Sequence, residues 1–162
     1  ATPGVVWDTR TGQERLRLPV NGCFAGCLDP SGDRLARCDA DAISVVDLNT
    51  RQELWRTGLP RGGTPIAWSP DGRLIAAVRD GMVPYLLDAV GGAVLARLEH
   101  PDTRPYNAVV FSPDGSLLAC FSPGHRIHLW NLHVLRRELA ARKLDWNLPP
   151  VPVPPVRPPP RE

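Results

Sequence analysis

The chain has 162 residues, of which 43% are hydrophobic and 22% charged, and its net charge is +2. That length is enough for one sizeable core, and no run approaches the roughly 18 apolar residues of a membrane helix. Arginine supplies the basic charge apart from Lys143, acidic residues nearly balance it, and no basic stripe for nucleic acid emerges.

In chain order, the first element is "GVVWDTRTGQERLRL", a β-rich run closed by Trp7 and Asp8, then a polar turn and a second strand-like run. "LDPSGDRLARC" follows, with Pro30 and Gly32 between apolar runs, and "ISVVDLNTRQELWRT" repeats the first pattern with Asp47 as its marker. "AWSPDGRLIAAV" sets Ser69, Pro70, Asp71 and Gly72 between two strands, and "VPYLLDAVGGAVLARL" carries Asp88. "VVFSPDGSLLAC" repeats the turn with Ser112, Pro113, Asp114 and Gly115, and "RIHLWNLHVLRREL" closes on Trp130 and Asn131. In each Ser-Pro-Asp-Gly phrase, proline pre-sets the first corner of a type I turn, aspartate suits the second and glycine accepts the left-handed conformation after it.

Two independent markers keep one period. Asp8, Asp47, Asp88 and Asn131 are 39, 41 and 43 residues apart, and Pro30, Pro70 and Pro113 are 40 and 43 apart. A repeat near 40 residues with four short strands per unit predicts propeller blades. Runs such as "LIAAV" lack strict alternation because a blade is buried on both faces.

"VVFSPDGSLLACFSPGHRIHLWNL" resembles a WD-repeat unit, and "VVWDTRTGQERLRL" holds the Trp-Asp pair itself; the resemblance covers roughly 4–132. It implies a polar network running from a His through a Ser or Thr and an Asp to a Trp. His100 and Trp130 hold the first and last places, but Cys120 and Pro123 stand where the middle members would be, and the third unit keeps Asp80 with Leu87 in place of Trp. Blades lacking that network are expected to rely on packing and turns. The "WSPDG" form is also similar to propeller repeats of bacterial periplasmic proteins.

Strand counting predicts the last two strands of one blade, two full blades and the first three strands of another. The expected fold is therefore all-β: a partial β-propeller of about three to three and a half four-stranded antiparallel blades, then a short C-terminal helix and a Pro-rich tail. The predicted division is a propeller portion at 1–132 (units near 1–20, 21–60, 61–100 and 101–132), a docking helix and anchor at 133–148, and a disordered tail at 149–162. Asn131 caps the helix, Leu132, Leu135 and Leu139 line one side, Trp146 anchors it, and Arg142 and Lys143 suit its C-terminal end. "PPVPVPPVRPPPRE" favours extended polyproline II. The chain begins at Ala1 and its sole methionine is Met82, which reads as the C-terminal part of a larger propeller. The run "LRRELAARKLDWNLPP" is similar to the C-terminus of large planctomycete-type WD-repeat proteins, some of which carry a serine/threonine kinase domain. No kinase motif lies in this sequence.

The resemblance and the composition together favour a non-catalytic protein–protein interaction scaffold, possessing no catalytic, cofactor or metal residues. Its expected partners are other proteins or missing blades of the parent chain, with no nucleic acid, no membrane insertion and no small-molecule substrate. A propeller hydrolase or lyase is the alternative, but the aspartates are accounted for by turns and strand ends, and His125 and His128 read as turn and surface residues. The cysteines Cys23, Cys27, Cys38 and Cys120 lie in apolar runs. Cys23 and Cys27 would stand about 13 Å apart on a strand, too far for a disulfide, so they read as core residues, which fits a reducing compartment such as the cytoplasm.

Overall fold

The computed structural model describes residues 4–18, 25–39, 42–58, 66–79, 82–101, 105–124 and 126–146. Cys23, Asp80, His125 and the Pro-rich segment fall outside them. Strands β1 (Gly4–Asp8) and β2 (Gln13–Leu18) form a two-stranded antiparallel sheet. Strands β3 (Ala25–Leu28), β4 (Arg34–Cys38), β5 (Ala42–Asp47) and β6 (Glu53–Gly58) form a second sheet in chain order. The third is built the same way from β7 (Ile66–Trp68), β8 (Leu74–Arg79), β9 (Val83–Asp88) and β10 (Val94–Arg97). The fourth contains β11 (Ala108–Phe111), β12 (Leu117–Ser122) and β13 (Arg126–Asn131), after which helix α1 (Leu132–Ala141) begins directly.

Each sheet packs its forward face on the rear face of the next. Val6 and Leu16 of the first sheet meet Leu35, Val46 and Leu48 of the second. Ala36, Cys38, Ile43 and Val45 then meet Ile75, Ala77, Tyr85 and Leu87 of the third. Leu74, Ala76, Val78 and Leu86 in turn meet Val109, Phe111, Leu118 and Cys120 of the fourth. Strands β5 and β9 are buried on both sides, which is why their sequences do not alternate. Burying one such aliphatic side chain stabilises by about 1.5–3 kcal/mol, so these interfaces carry the fold. Strand β13 differs: His128 and Trp130 face the third sheet, while Ile127 and Leu129 stand 55% and 65% exposed.

The outer strands reach further than their own sheets. Arg15 Nη2 of β2 donates to Asn49 Oδ1 at 3.2 Å, and Trp55 Nε1 of β6 donates to the Ala89 carbonyl at 3.0 Å, each landing on a turn of the following sheet. Among the described residues the fourth sheet has no outer strand. In its place α1 buries Leu132 and rests Leu135 and Leu139 on the last interface, and Trp146 is buried beside them. Arg136 holds that return: its guanidinium grips both Asp145 oxygens at 3.0 and 2.9 Å, donates to the Trp146 carbonyl at 3.1 Å, and lies 5.3 Å from the indole centre. Burial would push the Asp145 carboxyl up, but its bonds to Arg136 dominate and hold it below the usual range. Arg142 and Lys143 stand at the C-terminal end of the helix as expected, just past its last turn, which itself has no basic residue. Arg142 is the C-cap, and Lys143 takes the left-handed position after it at φ +58°, with the Leu144 N–H returning to the Leu139 carbonyl.

Candidate interaction surface on the turn face

Two kinds of turn recur at one end of the sheets. The first joins the two inner strands. Gly32, Gly72 and Gly115 have φ between +72° and +77°, and each donates its N–H three residues back, to Asp29, Ser69 and Ser112. Ser69 Oγ accepts the Leu74 N–H and donates to Asp71 Oδ1 at 2.6 Å; Ser112 repeats this with Leu117 and Asp114. In the second sheet the two residues change places: Asp29 Oδ1 accepts the Arg34 N–H and Ser31 Oγ donates back to Asp29 at 2.8 Å. The hydroxyl–carboxylate pair is preserved with its direction reversed. These turns also approach one another between sheets: a Cβ added at Gly72 would lie 3.8 Å from Pro30 Cδ, and one added at Gly115 3.7 Å from Pro70 Cδ.

The second kind follows the marker residues. Asp8 Oδ1 accepts the N–H groups of Arg10 and Thr11, Asp47 Oδ1 those of Asn49 and Thr50, and Asp88 those of Val90 and Gly91. A residue four positions on closes each turn in the left-handed region: Gly12 at +68°, Arg51 at +62° and Gly92 at +73°. Asn131 makes the same opening move, accepting the Val134 N–H at 3.0 Å, but Leu135 has no such conformation and the chain continues as α1. The two turns of each unit are tied together, with Leu48 N–H on the Asp33 carbonyl, Ala89 on Arg73 and Leu132 on Ser116.

Electrostatically the face is acidic and pre-paid by its own backbone. The Thr11 and Arg10 N–H groups lower the Asp8 carboxyl and the Thr50 N–H lowers Asp47, while the Ser112 hydroxyl and Ser116 bring Asp114 down to about 2. Burial would raise Asp29, but the Arg34 N–H, the Ser31 hydroxyl and the Arg34 guanidinium outweigh it and leave the carboxyl lowered. A shallow groove of about 420 Å³ lies here, lined by Asp29, Asp33, Arg34, Asp47, Asn49 and Asp71 among others. Arg34 reaches from the second sheet to the third, its guanidinium 5.0 Å from the Trp68 ring centre. Asp29, Asp47 and Asp71 accept from turn N–H groups, and Asp33 Oδ1 accepts from the Asn49 side-chain amide. Among the described residues no group of three His, Cys, Asp or Glu could hold a metal ion, and no helix is long and apolar enough to cross a membrane.

The remaining marked residues lie elsewhere. Trp7 is 58% exposed on the first sheet, whereas Trp130 is half-buried and its indole N–H finds no acceptor. His128 is not a surface turn residue: it is half-buried on β13, hydrogen-bonded to the Tyr106 hydroxyl and stacked 4.1 Å from the His100 ring. This aromatic group occupies the region where the resemblance implied a His-to-Trp network. Cys38 and Cys120 are buried and Cys27 half-buried, all three as free thiols, with burial pushing Cys27 and Cys120 up to about 12. Sequence reasoning missed Trp55 and Arg34, whose roles depend on the neighbouring sheet, and Arg51, which breaks the glycine pattern at its turn.

Four antiparallel sheets packed face on face, the last three opening with the same kind of turn, form a partial β-propeller. Residues 92–131 match the family model described as WD domain, G-beta repeat. That stretch takes β10 from the third sheet and β11–β13 from the fourth, so the sequence unit straddles two blades. The chain is also similar to the COMPASS component SWD3 of Saccharomyces cerevisiae, with 29% identity over 115 residues, covering 68% of this chain and 36% of that protein. It therefore spans about a third of the length of this curated relative.

Proposed function

We propose that this chain is a WD-repeat interaction scaffold that binds other proteins through its turn face and does no chemistry itself. The observation that carries this reading is the close approach of the turns, Pro30 to Gly72 and Pro70 to Gly115, which fixes exposed carboxylates on a rigid support. The similarity to a component of a protein assembly supports it. Native affinity capture with quantitative mass spectrometry, using the chain and its Asp33→Lys/Asp71→Lys variant, tests it. A stoichiometric partner lost in the variant is the expected result; identical retention by both proteins would overturn the assignment to this face.

The finer reading is a division at 1–132, 133–148 and 149–162 within a larger WD-repeat protein, serving as sensor or docking region of a bacterial serine/threonine kinase. It rests on the resemblance of "LRRELAARKLDWNLPP" to such C-termini, and sequencing the gene upstream tests it: a kinase domain in frame supports it, and its absence removes it.

A further inference from the structure

The connection between β10 and β11 links the last two sheets at the end opposite the turn face. Backbone bonds fix both its ends: the Leu98 N–H donates to the Pro84 carbonyl of the third sheet at 2.8 Å, and the Asn107 N–H to the Phe121 carbonyl of the fourth at 2.9 Å. Ser122 Oγ donates to the Pro105 carbonyl at 3.0 Å, and Leu98 and Tyr106 are buried in the core between the two sheets. Between these fixed ends stands His100, exposed, its ring stacked on the half-buried ring of His128 with centres 4.1 Å apart and planes tilted by 35°. His128 is also held by Tyr106, whose hydroxyl meets Nδ1 and whose ring stands edge-on at 5.4 Å.

Histidine is the side chain that gains its charge between about pH 8 and about pH 5. One proton on His128 preserves the contacts, because the Tyr106 hydroxyl donates to Nδ1 of a neutral ring and accepts from the Nδ1–H of a charged one. A second proton, on His100, sets two like charges 4.1 Å apart, and like charges at that spacing repel. The described groups around the pair supply no counter-charge. Glu99 is engaged by Arg97 at 2.7 Å, Arg126 on β13 is itself a cation, and Cys120, the cross-strand partner of His128, is a thiol that burial keeps neutral. The third sheet presents apolar side chains, Ala76, Val78 and Leu86, to the fourth; Asp102 and Arg104 of the same connection lie outside the described residues. We propose that His100 and His128 form a proton-operated catch, closed while at most one of them is charged and opened in mild acid, when the doubly charged stack pushes His100 and its connection off β13.

Amide exchange of the whole chain followed by NMR at low salt, from about pH 7.5 to about pH 5 and corrected for intrinsic rates, tests this. Protection of the Leu98 N–H, beside the catch, is expected to fall about fivefold or more in acid, the factor that two like charges at this spacing give even in water. The nuclear Overhauser contact between the His100 and His128 rings is expected to fade over the same range, while β9 amides keep their protection. His100→Gln, at an exposed position, and His128→Gln each remove one charge and are expected to leave Leu98 protection independent of pH. Protection at Leu98 that does not change with pH in the unaltered chain would overturn the proposal. So would an equal acid loss in both variants, or β9 amides losing protection in step with Leu98. Since the catch lies at the other end of the sheets from the turn face, capture of partners there stands or falls separately.

Discussion

Gly92→Ala probes the contact between an outer strand and the next blade's turn. Gly92 has φ +73°, and a Cβ added there would lie 2.4 Å from Trp55 Cε3 and 2.8 Å from Cδ2 and Cζ3. Carbon atoms prefer separations of about 3.5–4.0 Å, and the indole is tethered at its other end by the 3.0 Å bond to Ala89. The left-handed conformation costs alanine about 1 kcal/mol, and overpacking against a ring that cannot retreat adds about 1–3 kcal/mol. A total of about 2–4 kcal/mol corresponds to a Tm lower by roughly 5–15 °C at this length. Gly12→Ala is the control: φ is +68° but no atom lies within 4 Å of the added Cβ, so only the conformational cost of about 1 kcal/mol applies. Thermal melts of both variants, with Gly92→Ala repeated in a Trp55→Ala background, measure the coupling, expected at about 1–3 kcal/mol. Equal losses at positions 12 and 92, or no coupling to Trp55, would refute the packing argument.

Arg51→Gly relieves a left-handed arginine at an exposed turn and is expected to stabilise by about 0.5 kcal/mol, after the extra entropy of the unfolded glycine, read as a small rise in urea midpoint. Asn131→Ala removes the cap of α1 and is expected to cost about 1 kcal/mol, with faster amide exchange at Val134 and a red-shifted tryptophan emission as Trp146 loosens. Asp114 has a folded pKa of about 2, depressed below its unfolded value; its contribution is fully present above the unfolded carboxylate range and is lost as pH falls through that range toward 2. Asp114→Asn should therefore flatten the fall in urea midpoint between neutral and strongly acidic pH, and an unchanged slope would contradict the assignment.

The blade architecture was legible because turn chemistry is local. Proline, aspartate and glycine specify a type I turn within four residues, and a period shared by two kinds of marker needs no tertiary information. Asn131 and the leucines of α1 were legible for the same reason. What escaped notice lies between units. Trp55 gains its role from the Ala89–Gly92 turn of the next sheet and Arg34 from Trp68; the reach of an outer strand to the next turn does recur, Arg15 to Asn49 and Trp55 to Ala89, but with different side chains, so the letters did not flag it. His128 was misread because three-residue spacing from His125 said nothing about Tyr106 and His100, which reach it from the connection between β10 and β11. The swap of Asp29 and Ser31 hid a conserved bonding pattern behind an altered word: the chemistry is symmetric in the pair, and the letters are not.

The marker turns also bear on how a tandem array changes course. Asp8, Asp47, Asp88 and Asn131 all start their segments with the same side-chain grip on the backbone ahead, so the instruction to bend is common to the four units. What separates a returning strand from a helix is one later residue: a left-handed closure at 12, 51 and 92, and Leu135 at the fourth. A repeat can therefore leave its architecture by omitting a conformation, without acquiring a new signal. The propeller and the helix that leaves it are two continuations of one nucleus, and the choice between them is made a full turn downstream of the residue that marks the repeat.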